Sequence, residues 1–79
     1  MKDTVPEFNL DRYIGKQLKH RRRFIRMSQQ QLAEQVGVRF QQIHKYETGI
    51  NKISASRLWQ LAKALEVEVA HFYDGYQPV

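Results

Sequence analysis

Seventy-nine residues make a single domain with a small core, since a chain this short buries only about 60–65% of its unfolded surface. The absence of cysteine excludes a disulfide scaffold and thiolate metal sites, and it fits a reducing compartment. A formal charge of +5 and a pI near 9.8 favour a polyanionic partner, nucleic acid first and an acidic membrane surface second.

The opening decapeptide MKDTVPEFNL is polar, carries Pro6 and has no apolar core of a signal peptide. No apolar run approaches the roughly 20 residues needed to span a bilayer, so a soluble, cytoplasmic chain is expected. Residues 1–10 lack periodicity and read as a tail or arm, residues 11–75 as the folded domain and residues 76–79 as a second tail. The first helix is expected from Asp11 to Ile25, with Ile14, Leu18 and Ile25 on one stripe and Arg22 at the position that should continue it.

Ser28 starts a second helix, because Ser28 and Gln31 form the S-x-x-Q pattern of a capping box. Leu32, Ala33 and Val36 supply its buried face, and Gly37 ends it. The third helix runs from Phe40 to Glu47 and closes at Gly49, after which Ile50–Ile53 form a loop. Ser54 caps a fourth helix with Leu58, Leu61, Ala62 and Leu65 on one face. A last short helix, Val69 to Tyr73, ends near Gly75, and Pro78 forbids continuation. The expected fold is all-α, a bundle of five short helices.

Two short helices joined by a Gly-centred turn are the layout of a helix-turn-helix, whose second helix enters the DNA major groove. At about 100° per residue, Ile43, Tyr46 and Glu47 share one face of the third helix. Gln41, Lys45 and Thr48 lie opposite, flanked by His44 and Gln42. If Ile43 packs inward, Gln41 and Lys45 point outward together. Gln can pair with adenine N6/N7, Lys can donate to guanine O6/N7, and Phe40 can touch a thymine methyl group. A lone Gln or Lys on a helix surface would read as ordinary solvated polarity; the surrounding motif favours base reading.

Backbone contacts come from elsewhere. Gln29 and Gln30 open the second helix, where free amides and the helix dipole suit a phosphate, Gln29 better placed because it follows the cap directly. The basic run Lys19–Arg23 wraps round its helix and also suits the dipole at a C-terminus, yet Arg21, Arg23 and Arg26 are phosphate candidates beside the reading face. Thr48 joins them from the end of that face.

Arg22 falls on the apolar stripe of the first helix and Glu47 on the apolar face of the third. A lone buried charge is costly, so two opposite charges on two core faces are expected to meet as a structural ion pair.

The stretches SQQQLAEQVGV, QQIHKYETG and SASRLWQLAKALEV together resemble the phage-repressor-type helix-turn-helix family, lambda-repressor and Cro-like or XRE, from about Ile14 to Phe72. The resemblance implies a phosphate contact at Gln29, base reading at Phe40, Gln41 and Lys45, and an ionic pair at Arg22 and Glu47. It also implies a homodimer that binds double-stranded DNA at pseudo-palindromic operators and represses transcription. Three departures stand out. Arg39 replaces the Ser or Thr that caps the recognition helix, which frees its side chain for a phosphate. Phe40 is unusual at a base-reading position, with partial packing as its other role. Glu66 replaces the Gly that ends the fourth helix, so that helix either ends on a strained residue or runs on.

Catalysis, cofactors and metals are not expected. His20, His44 and His71 lack metal-ligand spacing, Ser28, Ser54 and Ser56 sit at helix starts, and there is no Gly-rich phosphate loop. The competing reading is a protein-interaction module on the same fold, such as an antitoxin, using Trp59, Phe72, Tyr73 and Tyr76. Of these, Phe72 is expected in the core, and Tyr73 and Tyr76 at the surface or a dimer contact. A membrane-surface role is weakest, because the core uses up the apolar face of the basic helix.

Overall fold

Leu10, Ile14 and Leu18 step along one side of the first helix at intervals of four, and this stripe organises the molecule. The structure, a computed structural model, describes residues 5–77, with side chains from residue 10 onward. The elements are α1 (Val5–Phe24), α2 (Gln29–Val36), α3 (Phe40–Glu47), α4 (Ala55–Leu65) and a closing 3₁₀ turn (Val69–Tyr73). There is no strand among the described residues, and no helix there is long and apolar enough to cross a membrane.

The first helix starts at Val5, not near Asp11. Proline is tolerated in the first turn of a helix, so Pro6 does not stop it, and Leu10 packs on the core as one more step of the stripe. The parts of the expected tails at residues 1–4 and 78–79, with the stop assigned to Pro78, lie outside the described residues. The last element is a 3₁₀ turn, not an α-helix. Its bonds run three residues back, from His71 N to Glu68 O at 2.9 Å and from Asp74 N to His71 O at 3.3 Å. It delivers Phe72, fully buried, into the core beside Leu18, Leu32, Ile43, Leu61 and Leu65.

The caps carry much of the local order. Both arms of the Ser28–Gln31 capping box form, at 3.0 Å and 2.8 Å. Gly37 ends α2 in the left-handed region at φ 76°, and Ser54 accepts from Arg57 N at the start of α4. Glu66 ends α4 at φ 60°, so of the two outcomes open at that position the strained one holds. Val67 N then donates to Ala62 O at 3.0 Å, closing the helix as a Gly would. Arg26 does the same service after α1 at φ 61°, with Met27 N bonded to Arg22 O at 2.9 Å.

One close approach sets the position of α3. A Cβ on Gly15 would lie 2.4 Å from the Tyr46 carbonyl oxygen and 2.6 Å from that of Glu47. The middle of α1 therefore touches the end of α3 backbone to backbone, at a distance only glycine permits.

Candidate nucleic-acid interface

The α2–turn–α3 unit is fastened to α1 by a buried ion pair. Arg22 Nε donates to Glu47 Oε2 at 2.6 Å and Nη2 to Oε1 at 3.1 Å, a two-pronged contact in which the side chains are only 9% and 2% exposed. Two further bonds complete it. Arg22 Nη1 donates to Met27 O at 2.8 Å, and Gln29 Nε2 donates to Glu47 Oε1 at 2.9 Å. One network thus joins α1, the α1–α2 turn, the start of α2 and the end of α3. No buried side-chain nitrogen or oxygen among the described residues lacks a partner, so the charges are compensated rather than stranded.

With Ile43 fully buried and Tyr46 and Glu47 buried beside it, α3 turns Gln41, His44 and Lys45 to solvent. Phe40 leads the helix and is 45% exposed. Val38, Arg39, Gln41, Gln42, Lys45 and Arg57 line one shallow depression along this helix. The expected base-reading pair and Arg39 therefore share a surface. Arg39 holds the cap position without a side-chain capping bond, as its chemistry requires.

The phosphate candidates divide. The side chain of Gln29 is committed to Glu47, and of the amides that open α2 that of Gln31 is capped by Ser28, which leaves those of Gln29 and Gln30 with no acceptor inside the helix. Gln30 is exposed and donates to Glu34 at 3.2 Å. Arg23 is exposed beside the helix end, and Arg26 is exposed in the turn that leads into Ser28. Arg21 is placed differently. Its Nε donates to Leu65 O at 2.9 Å and its guanidinium lies 5.6 Å from the Phe24 ring, so it serves the C-terminal end of α4. Thr48 turns its hydroxyl back to the carbonyls of His44 and Lys45, at 3.1 and 3.3 Å.

Two side chains were given no positioning role in the sequence reading. Gln42 Nε2 donates to Asn51 Oδ1 at 2.9 Å, pinning the loop after α3 to that helix. Arg57 reaches from α4 to the Val36 carbonyl at 2.6 Å and so closes the end of α2. The helical offset of Gln42 from the reading face was the available signal for the first; the second had none. The aromatic residues separate into distinct places. Phe72 is core, Tyr76 lies 5.2 Å from the Tyr13 ring, Tyr13 OH donates to Asp74 O, and Trp59 stands out on α4.

The comparisons with known proteins agree with this geometry. A helix-turn-helix family model, HTH_3, matches residues 19–72. An uncharacterized transcriptional regulator in the ATPase CF(0) region of Rhodospirillum rubrum is 45% identical over 75 residues, covering 95% of this chain and 69% of that protein. The uncharacterized HTH-type transcriptional regulator y4wC of Sinorhizobium fredii (strain NBRC 101917 / NGR234) is 45% identical over 65 residues, covering 82% of this chain and 46% of its own length. The chain spans about half the length of most of the curated relatives it matches.

Among solved structures, the clp gene regulator ClgR from Corynebacterium glutamicum superposes with a TM-score of 0.79 at 25% identity, over 81% of this chain and 68% of that one. The restriction-modification controller protein C.AhdI from Aeromonas hydrophila gives 0.75 at 26% identity, over 81% and 96%. HppE shares the fold over 35% of its chain at 21% identity, a likeness of fold alone. The chain belongs to the HTH_3 helix-turn-helix family, and the curated relatives it matches are named as transcriptional regulators.

Proposed function

We propose that this chain is a sequence-specific, cytoplasmic DNA-binding repressor, without catalytic activity or cofactor. It acts as a homodimer that sets one α3 into the major groove at each half-site. The observation that carries this reading is the outward face of α3, where Gln41 and Lys45 stand exposed on a helix whose inner face is locked by Arg22 and Glu47. Gln41 and Lys45 read base edges, with Phe40 against a thymine methyl group. The first amides of α2 and the side chains of Gln30, Arg23, Arg26 and Arg39 hold phosphates, and Thr48 lies at the edge of that set. Arg21 is left out because its Nε is bound at the Leu65 carbonyl, which draws the side chain toward α4.

Selection from a pool of random duplexes, followed by titration of the selected site across salt, tests this. The expected product is a pseudo-palindrome whose half-sites lie about 34 Å apart, one helical turn of DNA. Affinity should fall steeply with salt, with a slope near −0.9 per phosphate held. An absence of salt-dependent DNA binding would favour the protein-interaction module instead.

A further inference from the structure

Trp59 projects from α4 and is 56% exposed, although Trp normally hides most of its ring. Its only ring partner among the described residues is the Lys63 ammonium, 5.3 Å away. Beside it runs a shallow groove lined by Ala62, Val67, Val69 and Ala70, with Lys63, Glu66 and Glu68 on the same lining. This groove adds one positive to two negative charges, on a protein whose net charge is +5. It is therefore a poor surface for DNA and a good one for a protein that carries a Lys.

Glu66 adds a second observation. It holds the left-handed conformation at φ 60°, which glycine would adopt without strain, and its carboxylate has no ion pair among the described residues. A strained residue with an unused charge points to a role outside its own chain.

The patch thus carries an exposed aromatic anchor, an apolar groove and charges of both signs, and these complement one another. We infer that a second copy of this chain docks here across a two-fold axis. The Trp59 of each copy enters the Val67–Val69 groove of the other, and the Lys63 of each faces the other's Glu66 and Glu68. An isologous contact requires this kind of self-complementary patch, and a Trp at its centre is the residue type that most often anchors one. The inference supplies the dimer face for the proposed function and rests on that reading only for its purpose.

Sedimentation of the full chain without DNA, over a wide range of concentration, tests it. The wild type should show a reversible monomer–dimer equilibrium, and Trp59→Ala should weaken it about 30-fold or more. Lys63→Glu alone, and Glu66→Lys with Glu68→Lys, should each run as monomers. An equimolar mixture of those two variants should pair again, because every contact between unlike copies regains opposite charges. These side chains are exposed, so circular dichroism should show each variant folded.

A wild type that stays monomeric throughout, a dimer indifferent to Trp59→Ala, or charge variants that fail to pair on mixing would each overturn the assignment. A chain that dimerises in this way but selects no DNA would sink the proposed function and leave this face intact. A chain that selects a palindrome but ignores the charge swap would do the reverse.

Discussion

Replacing Glu47 with Leu removes the acceptor of three hydrogen bonds, two from Arg22 and one from Gln29. The Arg22 guanidinium keeps only its bond to the Met27 carbonyl and stays in a site where its side chain is 9% exposed. Breaking a buried pair by removing one partner costs about 3–5 kcal/mol, because the remaining charge is uncompensated. A chain of this length has a total stability of about 4–12 kcal/mol, so Glu47→Leu should consume a large part of it. Arg22→Met should cost a similar amount by stranding the carboxylate. Together the two changes leave no buried charge. The residual loss should be about 1–2 kcal/mol, since the Met27 carbonyl and the Gln29 amide still lose their partners. Thermal melts should show drops of more than about 12 °C for each single variant and much less for the double, at roughly 4–8 °C per kcal/mol. Single losses that simply add in the double variant, or single variants that melt like the wild type, would refute the reasoning.

Four further outcomes follow from the same structure. Arg23→Ala should weaken binding to all DNA about equally and reduce the salt slope by about 1, whereas Arg21→Ala should lower the melting temperature by freeing the Leu65 carbonyl and leave the salt slope unchanged. Gly15→Ala puts a methyl group 2.4 Å from the Tyr46 carbonyl, so it should destabilise by about 1–3 kcal/mol in denaturant unfolding and weaken DNA binding by tilting α3. Glu66→Gly, unfolded by denaturant at concentrations where the chain is monomeric, should instead gain about 1 kcal/mol by relieving the left-handed residue.

What the sequence made readable were features whose cause lies within a few residues. Ser28 with Gln31, Gly37 and Ser54 mark helix ends by local chemistry, and the structure has each of them at its cap. Arg22 and Glu47 were readable for another reason: a charge on an apolar stripe has no cheap solution but a partner, and each stripe held one charge. The start of α1 was hidden because Pro6 masked the continuation of the stripe through Leu10. Gly15 could not be read at all, since what demands a glycine there is the end of α3, more than thirty residues away in the chain. The contact of Arg21 with α4 was hidden for a similar reason. Its partner is a backbone carbonyl, which leaves no mark in a side-chain pattern. Gln29 was read as a phosphate contact from its place after the cap, whereas its side chain serves Glu47, a partner on another helix that the local pattern of α2 does not show.

The central claim, that the outer face of α3 reads bases, is tested most directly by running the random-duplex selection in parallel with wild type and Gln41→Ala. The account predicts one enriched palindrome for the wild type. For the variant it predicts the same palindrome with a single position per half-site relaxed, and a loss of about 1–3 kcal/mol on the original site. Identical enriched sequences and affinities from both proteins would contradict it, for Gln41 would then read nothing.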